Sequence, residues 1–194
     1  MKKTEIIVIL DRSGSMQSIA SDVIGGFNSF VDEQQAQPGK ARLTLVQFDG
    51  KYQLDYEGVK LRKVPPLEFN PRGMTALFDA VGRTIKEQEK RIEEEKWAEL
   101  VIVNIITDGA ENSSREYSKE AIKAMITKAE AAGWKFIFMA ANQDAFSAAS
   151  NYGISGGLVG NFDATSKGTA QAYRSTSNTM SSLRAGNVLN SLVQ

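Results

Sequence analysis

The sequence predicts an α/β domain whose doubly wound, mostly parallel central sheet has one antiparallel edge strand and helices on both faces. Apolar runs rich in β-branched residues, such as Ile6–Leu10 and Leu100–Thr107, are typical of strands that are buried on both faces. Segments with apolar residues at helical spacing separate these runs, so strands and helices alternate along the chain. The 194 residues suit one domain, which we assign to residues 1–185, with 186–194 as a short C-terminal tail.

The first half of the chain predicts a strand, a helix and a hairpin. After Ile6–Leu10, helical spacing of apolar residues begins at Met16 and ends before Pro38. A strand at Arg42–Phe48 is followed by Asp49-Gly50, a dipeptide that favours a hairpin. The next residues alternate between apolar and polar, which indicates a half-exposed antiparallel strand at a sheet edge. The apolar members of this alternation are Tyr52, Leu54 and Tyr56.

The second half predicts further alternation of helices and strands. A helix begins near Thr75 and precedes the strand Leu100–Thr107. We expect a capping box formed by Ser113 and Glu116 to start the next helix, because a Ser followed three residues later by Glu can satisfy two helix amides. Trp134–Ala141 is another buried strand.

The last part of the chain predicts a short helix ending at Gly153, a short strand at Leu158-Val159, and a final helix. We expect this final helix to pack weakly, because Ser, Thr and Asn surround its few apolar residues. Those apolar residues are Ala170, Tyr173, Met180 and Leu183. The last eight or so residues are expected to fray.

Composition excludes several classes of function. The chain has no cysteine, which excludes disulfides, thiolate nucleophiles, iron–sulfur clusters and cysteine-based zinc sites. It has no histidine, which excludes a Ser-His-Asp triad and the usual histidine zinc site. Any metal must therefore be held by oxygen ligands, which favours Mg²⁺, Mn²⁺ or Ca²⁺. The 23 basic and 23 acidic residues balance, so charge gives no indication of a nucleic-acid partner.

No segment of the sequence predicts a membrane span. The longest uninterrupted apolar stretch, Phe136–Ala141, is far shorter than the roughly 18 residues that a spanning helix needs. We therefore expect no membrane partner and a cytoplasmic location.

Hydroxyl and carboxylate side chains follow the ends of the predicted strands. Asp11, Ser13 and Ser15 come directly after the first strand, and Asp108 follows Leu100–Thr107. Thr75 lies in the loop that leads into the second helix. Because ligands of doubly wound domains bind beyond the carboxyl ends of the strands, we expect these side chains to meet at one edge of the sheet.

These five side chains have the chemistry of a divalent-cation site. Two carboxylates balance the charge of one divalent cation, and three hydroxyls add neutral oxygen ligands. Mg²⁺ prefers octahedral oxygen coordination and usually keeps a position for water or an outside ligand. The alternate spacing of Asp11, Ser13 and Ser15 lets a single turn present three oxygens, and Gly14 permits that turn.

The set Asp11-x-Ser13-x-Ser15, Thr75 and Asp108 resembles the metal-ion-dependent adhesion site of von Willebrand factor A domains. The resemblance covers about residues 5–185 and implies the Rossmann-like fold of that family. It implies that Ser13, Ser15 and Thr75 are direct or near-direct ligands, and that Asp11 and Asp108 hold the metal directly or through water. A Glu or Asp of a partner protein would complete the coordination, so the implied activity is protein binding rather than catalysis.

Two further segments are similar to stand-alone bacterial and phage members of that family. They are Arg72–Ala80 and Ala141–Ala145. Asp79, in the first of them, either contacts waters of the metal or, in the preferred interpretation, interacts with the helix N-terminus. Asn142 and Asp144, in the second, either line the ligand surface or cap a helix. We expect Arg12 and Met16 to be exposed on the binding face.

Two alternatives to metal-dependent binding remain open. The fold can act as a metal-free assembly scaffold, with Asp11 merely ending a strand and Ser13 capping the helix that follows. The chain can also be a Mg²⁺-dependent phosphohydrolase, because Asp11 after the first strand is similar to the nucleophile of haloacid-dehalogenase-type phosphatases. Those enzymes carry a second Asp two residues later, where this chain has Ser13.

Overall fold

The structure, a computed structural model, describes residues 2–141, 145–154 and 158–194, and in these ranges strands and helices alternate in the predicted order. The strands are β1 (Thr4–Asp11), β2 (Ala41–Phe48), β3 (Tyr52–Lys60), β4 (Leu100–Thr107), β5 (Lys135–Ala141) and β6 (Val159–Phe162). The helices are α1 (Ala20–Ala36), α2 (Leu77–Glu95), α3 (Lys119–Ala131), α4 (Ala145–Tyr152) and α5 (Ser166–Arg184).

The strands form one sheet in the order β3-β2-β1-β4-β5-β6. All neighbouring pairs are parallel except β2 and β3, which are antiparallel, so β3 is the predicted antiparallel edge strand. The strand order reverses between β1 and β4, which is the switch point where doubly wound domains bind ligands. Leu10 pairs with Ile106 across this boundary. The carboxyl ends of β1 and β4 are therefore adjacent.

Helices cover both faces of the sheet, as predicted. The side chains of β1 alternate between the faces: Ile6, Val8 and Leu10 pack with α1 and α5, whereas Ile7 and Ile9 pack with α2, α3 and α4. All five of these side chains are fully buried, and each contributes roughly 1.5–3 kcal/mol to the free energy of folding. No helix of the described ranges has both the length and the apolar character that crossing a bilayer requires.

A bulge in β3 breaks the alternation predicted for the edge strand. Val46 of β2 pairs with Leu54, but its neighbour Leu45 pairs with Tyr56, so one step along β2 matches two steps along β3. Because side chains alternate between the two faces of a strand, one extra residue in β3 moves the side chains beyond it to the opposite face. As a result, Tyr52 packs with the α2 side of the core, and Tyr56 packs with the α1 side.

The predicted start of α3 is wrong by several residues. The N-cap is Ser118, whose hydroxyl accepts a hydrogen bond from the Ala121 amide at 3.2 Å. Ser113 and Glu116, which were expected to form a capping box, lie in the loop before the helix. The Glu116 amide donates to the carboxylate of Asp79 at 2.8 Å, so a distant partner fixes the conformation of this segment.

Helix α5 packs more closely than the sequence predicts. Many of its buried residues are small and polar, and they allow α5 to lie close to α1. Gln34 of α1 donates hydrogen bonds of 3.0 Å to both the carbonyl and the hydroxyl of Ser177. The predicted fraying of the C-terminus is also wrong at Val193, whose amide donates to the Thr179 hydroxyl at 2.9 Å. The segment after α5 therefore folds back along the helix.

Candidate metal centre

Hydrogen bonds connect four of the five predicted site residues at the carboxyl edge of the sheet. Asp11 ends β1, and the backbone amide of Ser13 donates to its Oδ1 at 2.7 Å. The hydroxyl oxygens of Ser13 and Ser15 are 3.0 Å apart. The Ser15 hydroxyl donates to Oδ1 of Asp108 at 2.6 Å. One chain of contacts thus runs from the end of β1 to the end of β4.

Thr75 reaches the same place from the loop before α2. A Cβ built on Gly109 would lie 3.0 Å from the Thr75 hydroxyl oxygen and 3.6 Å from that of Ser15. Gly109 therefore has these two hydroxyls as immediate neighbours, and the missing side chain leaves room for them. The structure brings all five predicted residues together.

Asp11 is a buried carboxylate. It has no solvent exposure, and its Oδ2 accepts a hydrogen bond of 2.6 Å from the Thr107 hydroxyl. Burial raises the pKa of Asp11 to about 6, although the hydrogen bonds from Thr107 and Ser13 act in the opposite direction. Within the described residues, Asp11 forms no ion pair, because the neighbouring Arg12 guanidinium contacts Asp49 instead. Its charge would be stabilised by a cation.

Asp108 is less buried than Asp11 and lies on the open side of the group. Burial also raises the pKa of Asp108, while the hydrogen bond from Ser15 lowers it. Ser15 is exposed, whereas Ser13 and Thr75 are buried. The group thus has a buried side formed by Asp11, Ser13 and Thr75, and a solvent-facing side formed by Ser15 and Asp108.

The donor set fits a hard divalent cation. No group of three or more Asp, Glu, His or Cys side chains that could hold a metal occurs in the part of the chain that the structure describes. The site instead combines two carboxylates with three hydroxyls, which are oxygen ligands of the kind that Mg²⁺, Mn²⁺ and Ca²⁺ accept. Asn142 and Asp144, which were considered as lining of the ligand surface, lie outside the described residues.

Solved structures of other proteins share the fold of this chain. No family model matches the chain, and no curated protein matches it. Among solved structures, the chain superposes on the von Willebrand factor domain of the type V pili tip protein of Porphyromonas gingivalis with a TM-score of 0.66 at 12% identity. That match covers 100% of this chain and 98% of the other. The von Willebrand factor type A structure from Catenulispora acidiphila matches with a TM-score of 0.62 at 14% identity, over 92% of this chain and 42% of the other.

This chain has the von Willebrand factor A fold.

A third match has a metal in the corresponding type of site. It is proximal thread matrix protein 1 from the mussel byssus, described with a zinc-occupied MIDAS motif, the metal-ion-dependent adhesion site. Its TM-score is 0.64 at 16% identity, covering 91% of this chain. The match covers 47% of the mussel protein, so this chain spans about half of that protein's length. The comparison therefore concerns the A fold, and not the remainder of the mussel protein.

Backbone hydrogen bonds tie two loops of the A fold together at the candidate site. The Gly14 amide donates to the Gly73 carbonyl at 3.2 Å, and the Arg72 amide donates to the Arg12 carbonyl at 2.7 Å. Gly73 has a φ of 71°, a left-handed conformation that favours glycine. These contacts fix the loop that carries Ser13 and Ser15 against the loop that carries Thr75.

Asp49 is an anchor of these loops that the sequence analysis missed. Its Oδ2 accepts hydrogen bonds from Nε of Arg12 at 3.1 Å and from Nε of Arg72 at 3.0 Å. Its Oδ1 accepts from the Lys51 amide at 2.8 Å. In the sequence, Asp49-Gly50 indicates only a hairpin, and nothing local identifies partners 37 and 23 residues away.

The expectation that Arg12 and Met16 are exposed on the binding face is wrong. Arg12 is 6% exposed because it bonds to Asp49 and, at 2.6 Å, to the side-chain oxygen of Gln53. Met16 is fully buried because the 3-10 turn Gly14–Ile19 directs it into the core beside α1. The solvent-facing apolar residue near the site is instead Met74, which is 54% exposed.

Asn112 holds Thr75 in place and was also missed. Its side-chain oxygen accepts a hydrogen bond from the backbone amide of Thr75 at 2.9 Å. Its backbone amide donates to the backbone carbonyl of Thr75 at 3.0 Å. This pair fixes the backbone of Thr75 against the loop after β4. No sequence pattern distinguishes Asn112 from an ordinary loop asparagine.

Asp79 lies in the first turn of α2, as the preferred interpretation expects, and it has a further role in the loop after β4. Its carboxylate accepts hydrogen bonds from the amides of Arg115, Glu116 and Tyr117 at 2.8–3.0 Å. The Phe78 amide at the start of α2 donates to Oε2 of Glu111 at 2.9 Å. Asp79 and Glu111 thus fasten the loop after Asp108 to the first turn of α2.

Proposed function

We propose that this chain is a metal-dependent protein-binding module. A divalent cation, Mg²⁺ or else Mn²⁺ or Ca²⁺, would be held by two carboxylates and three hydroxyls and would bridge the domain to a Glu or Asp of a partner protein. The proposed ligands are Asp11, Ser13, Ser15, Thr75 and Asp108. The observation that carries this proposal is the buried carboxylate of Asp11, which has no described cationic partner and is joined through the Ser13 amide to the hydrogen-bonded group of Ser13, Ser15 and Asp108.

Each part of the site has a separate task in this proposal. The bound cation would supply a positive centre that attracts an outside carboxylate. Asp11 and Asp108 balance the divalent charge, whereas the hydroxyls add ligands without adding charge. Thr107 and the Ser13 amide orient Asp11, and the hydrogen bond between Ser15 and Asp108 keeps these two groups within reach of each other.

The surface around the site suits a protein partner. Met74 precedes Thr75 and is exposed, and a flexible apolar side chain of this kind adapts to different partner surfaces. The side chain of Arg72 is 63% exposed although its Nε bonds to Asp49, so it presents a positive charge near the site. An acidic segment of a partner would be attracted to this side of the domain.

The proposal is tested by the coupling between cation and carboxylate. We would measure thermal midpoints with short peptides that carry one central Glu, and with the same peptides carrying Gln, in Mg²⁺ and in EDTA. The account expects a Glu peptide to raise the midpoint only when Mg²⁺ is present, and Asp108→Ala to abolish that rise. Asp32→Ala, an exposed carboxylate on α1, is the matched control. Stabilisation by Glu peptides that persists in EDTA would contradict the bridge and support the metal-free scaffold.

The phosphohydrolase alternative is less consistent with the geometry of Asp11. Both carboxylate oxygens of Asp11 accept hydrogen bonds from within the chain, and the side chain has no solvent exposure. An attack on phosphorus needs room for a phosphoryl group next to the nucleophile, which is more space than a single cation requires. Turnover of a generic phosphate ester that is lost in Asp11→Asn would revive this alternative. The cytoplasmic location and the bacterial or phage origin stay predictions of the sequence.

A further inference from the structure

A cavity opens at the opposite end of the sheet from the candidate metal centre. It has a volume of about 590 Å³ and lies near the end of α1, the start of β2, the end of β3 and the end of α5. This volume is within the range of small-molecule sites, which are roughly 300–1,000 Å³. The residues that give the cavity its chemical character are Lys40, Arg42, Lys60, Arg62, Trp97 and Arg184. No acidic residue is among the described residues that line it.

Arg184 provides a buried positive charge in this cavity. It is 4% exposed, and its Nη1 donates to the backbone oxygen of Gln34 at 2.7 Å and to the side-chain oxygen at 3.0 Å. Its Nη2 donates to the Pro38 carbonyl at 3.4 Å. These partners are all neutral, and Arg184 forms no ion pair with a described carboxylate. Burial lowers the pKa of Arg184.

Arg42 and Trp97 form one wall. The Arg42 guanidinium lies over the Trp97 ring, 4.1 Å from its centroid, and its Nη1 contacts Oε2 of Glu95 at 2.8 Å. Glu95 also contacts Arg91 at 3.3 Å, so its charge is shared between two guanidinium groups. The stacked and paired geometry gives Arg42 a fixed orientation.

Three further cations line the rim. Lys40, Lys60 and Arg62 are exposed, and none forms an ion pair with a carboxylate in the described residues. Five cationic side chains therefore line one cavity in a chain whose formal net charge is zero. Such a concentration of one sign in a concave site attracts ligands of the opposite sign.

We propose that this cavity binds a small molecule that carries a phosphate or polyphosphate group. The five cationic side chains have one protein carboxylate nearby, and it is shared with another arginine. A ligand with a single carboxylate would leave much of the positive charge unbalanced, whereas a phosphate carries nearly two negative charges at neutral pH. Guanidinium groups donate paired hydrogen bonds to phosphate oxygens, and lysines add point charges. The indole of Trp97 provides an apolar wall for the remainder of the ligand.

Pyrophosphate is the probe that tests this proposal, and it is titrated by calorimetry in EDTA so that the metal centre takes no part. We expect one site on the wild type and on Asp108→Ala. The double variant Lys60→Gln/Arg62→Gln should weaken binding at least tenfold. The matched control Lys51→Gln/Lys63→Gln removes the same charge from exposed positions outside the cavity, and it should stay within twofold of wild type.

Three outcomes would overturn the proposal. They are no binding by the wild type, equal weakening in both double variants, and citrate binding as tightly as pyrophosphate. Equal weakening in both double variants would mean that pyrophosphate binding depends only on the overall charge of the protein. Equally tight binding of citrate would mean that the cavity does not select phosphate. Fluorescence supplies an independent readout, because pyrophosphate should change the emission of wild type and Trp134→Phe, but not that of Trp97→Phe.

Discussion

Ser15 donates a hydrogen bond of 2.6 Å to Asp108, although 93 residues separate the two in the sequence. The bond crosses the boundary between β1 and β4, where the strand order reverses. It joins the two solvent-facing members of the candidate metal centre, and the buried members Asp11, Ser13 and Thr75 lie behind it. The chain itself therefore holds the proposed ligands close together, so little conformational entropy remains to be lost on binding a cation.

A side chain at Gly109 should weaken metal binding. In Gly109→Ala, the new Cβ would lie 3.0 Å from the Thr75 hydroxyl and would displace one proposed ligand. We expect the Mg²⁺ concentration at half-maximal thermal stabilisation to rise by about tenfold, equivalent to about 1.4 kcal/mol. Gly50→Ala is the control, because no atom of the described residues lies within 4 Å of its Cβ position. An unchanged Mg²⁺ dependence in Gly109→Ala would place the cation elsewhere.

Two adjacent glycines in α1 should respond in opposite directions to the same substitution. A Cβ on Gly26 would overlap the ring of Tyr173 on α5, whereas a Cβ on Gly25 has no neighbour within 4 Å in the part of the chain that the structure describes. Gly26→Ala should lower the free energy of unfolding by about 1–3 kcal/mol through overpacking. Gly25→Ala should raise it by roughly 0.5–1 kcal/mol, because alanine favours helix. Urea unfolding of both variants measures this, and equal effects would mean that α1 and α5 are not in close contact.

Removing the carboxylate of Asp49 should destabilise the fold strongly. Asp49→Ala leaves the buried guanidinium of Arg12 without its anion, which costs about 3–5 kcal/mol. The thermal midpoint should fall by more than about 6 °C for a domain of this size. Asp32→Ala, which removes an exposed carboxylate from α1, should change stability by less than about 0.5 kcal/mol. Similar midpoints for the two variants would show that Asp49 does not anchor the loops.

The metal-free protein should lose stability between about pH 4 and pH 6 because of Asp11. Its pKa is about 6 in the folded state, against 3.8 for an unperturbed Asp, so the folded state binds the proton more tightly. The stabilisation from this proton is fully present below the unfolded pKa and is lost as the pH rises through the folded pKa.

Asp11→Asn removes that titration. In EDTA, the stability of the variant relative to wild type should therefore increase from pH 4 to pH 7, by on the order of 2 kcal/mol. Urea unfolding at several pH values measures the difference. Parallel pH profiles for wild type and variant would mean that Asp11 titrates normally.

The sequence predicts most of the fold because the patterns that define it are local. The apolar runs at Ile6–Leu10 and Leu100–Thr107 coincide with β1 and β4 to within two residues at each end. Four of the five site residues converge because Asp11 ends β1, Ser13 and Ser15 follow it, and Asp108 directly follows β4. At the ends of β1 and β4, position relative to the strand end is enough to bring a residue to this edge, whereas Thr75 reaches it from the loop before α2.

The errors concern contacts between distant segments. Arg12 is buried because it bonds to Asp49 and Gln53, and the sequence does not identify these residues as its partners. The loop before α3 is fixed by Asp79 rather than by its own Ser113 and Glu116. The bulge between β2 and β3 likewise depends on pairing and not on the composition of β3. Such features require the positions of both partners.

Thermal melts of wild type and Asp108→Ala, each in about 10 mM Mg²⁺ and in EDTA, test the central claim most directly. With a dissociation constant on the order of 1 mM, binding adds roughly 1.4 kcal/mol to the folded state. The wild-type midpoint should then rise by about 3–5 °C in Mg²⁺, and Asp108→Ala should show no rise. A stable wild type whose midpoint does not respond to Mg²⁺, Mn²⁺ or Ca²⁺, or a rise that persists in Asp108→Ala, would contradict a metal at this site.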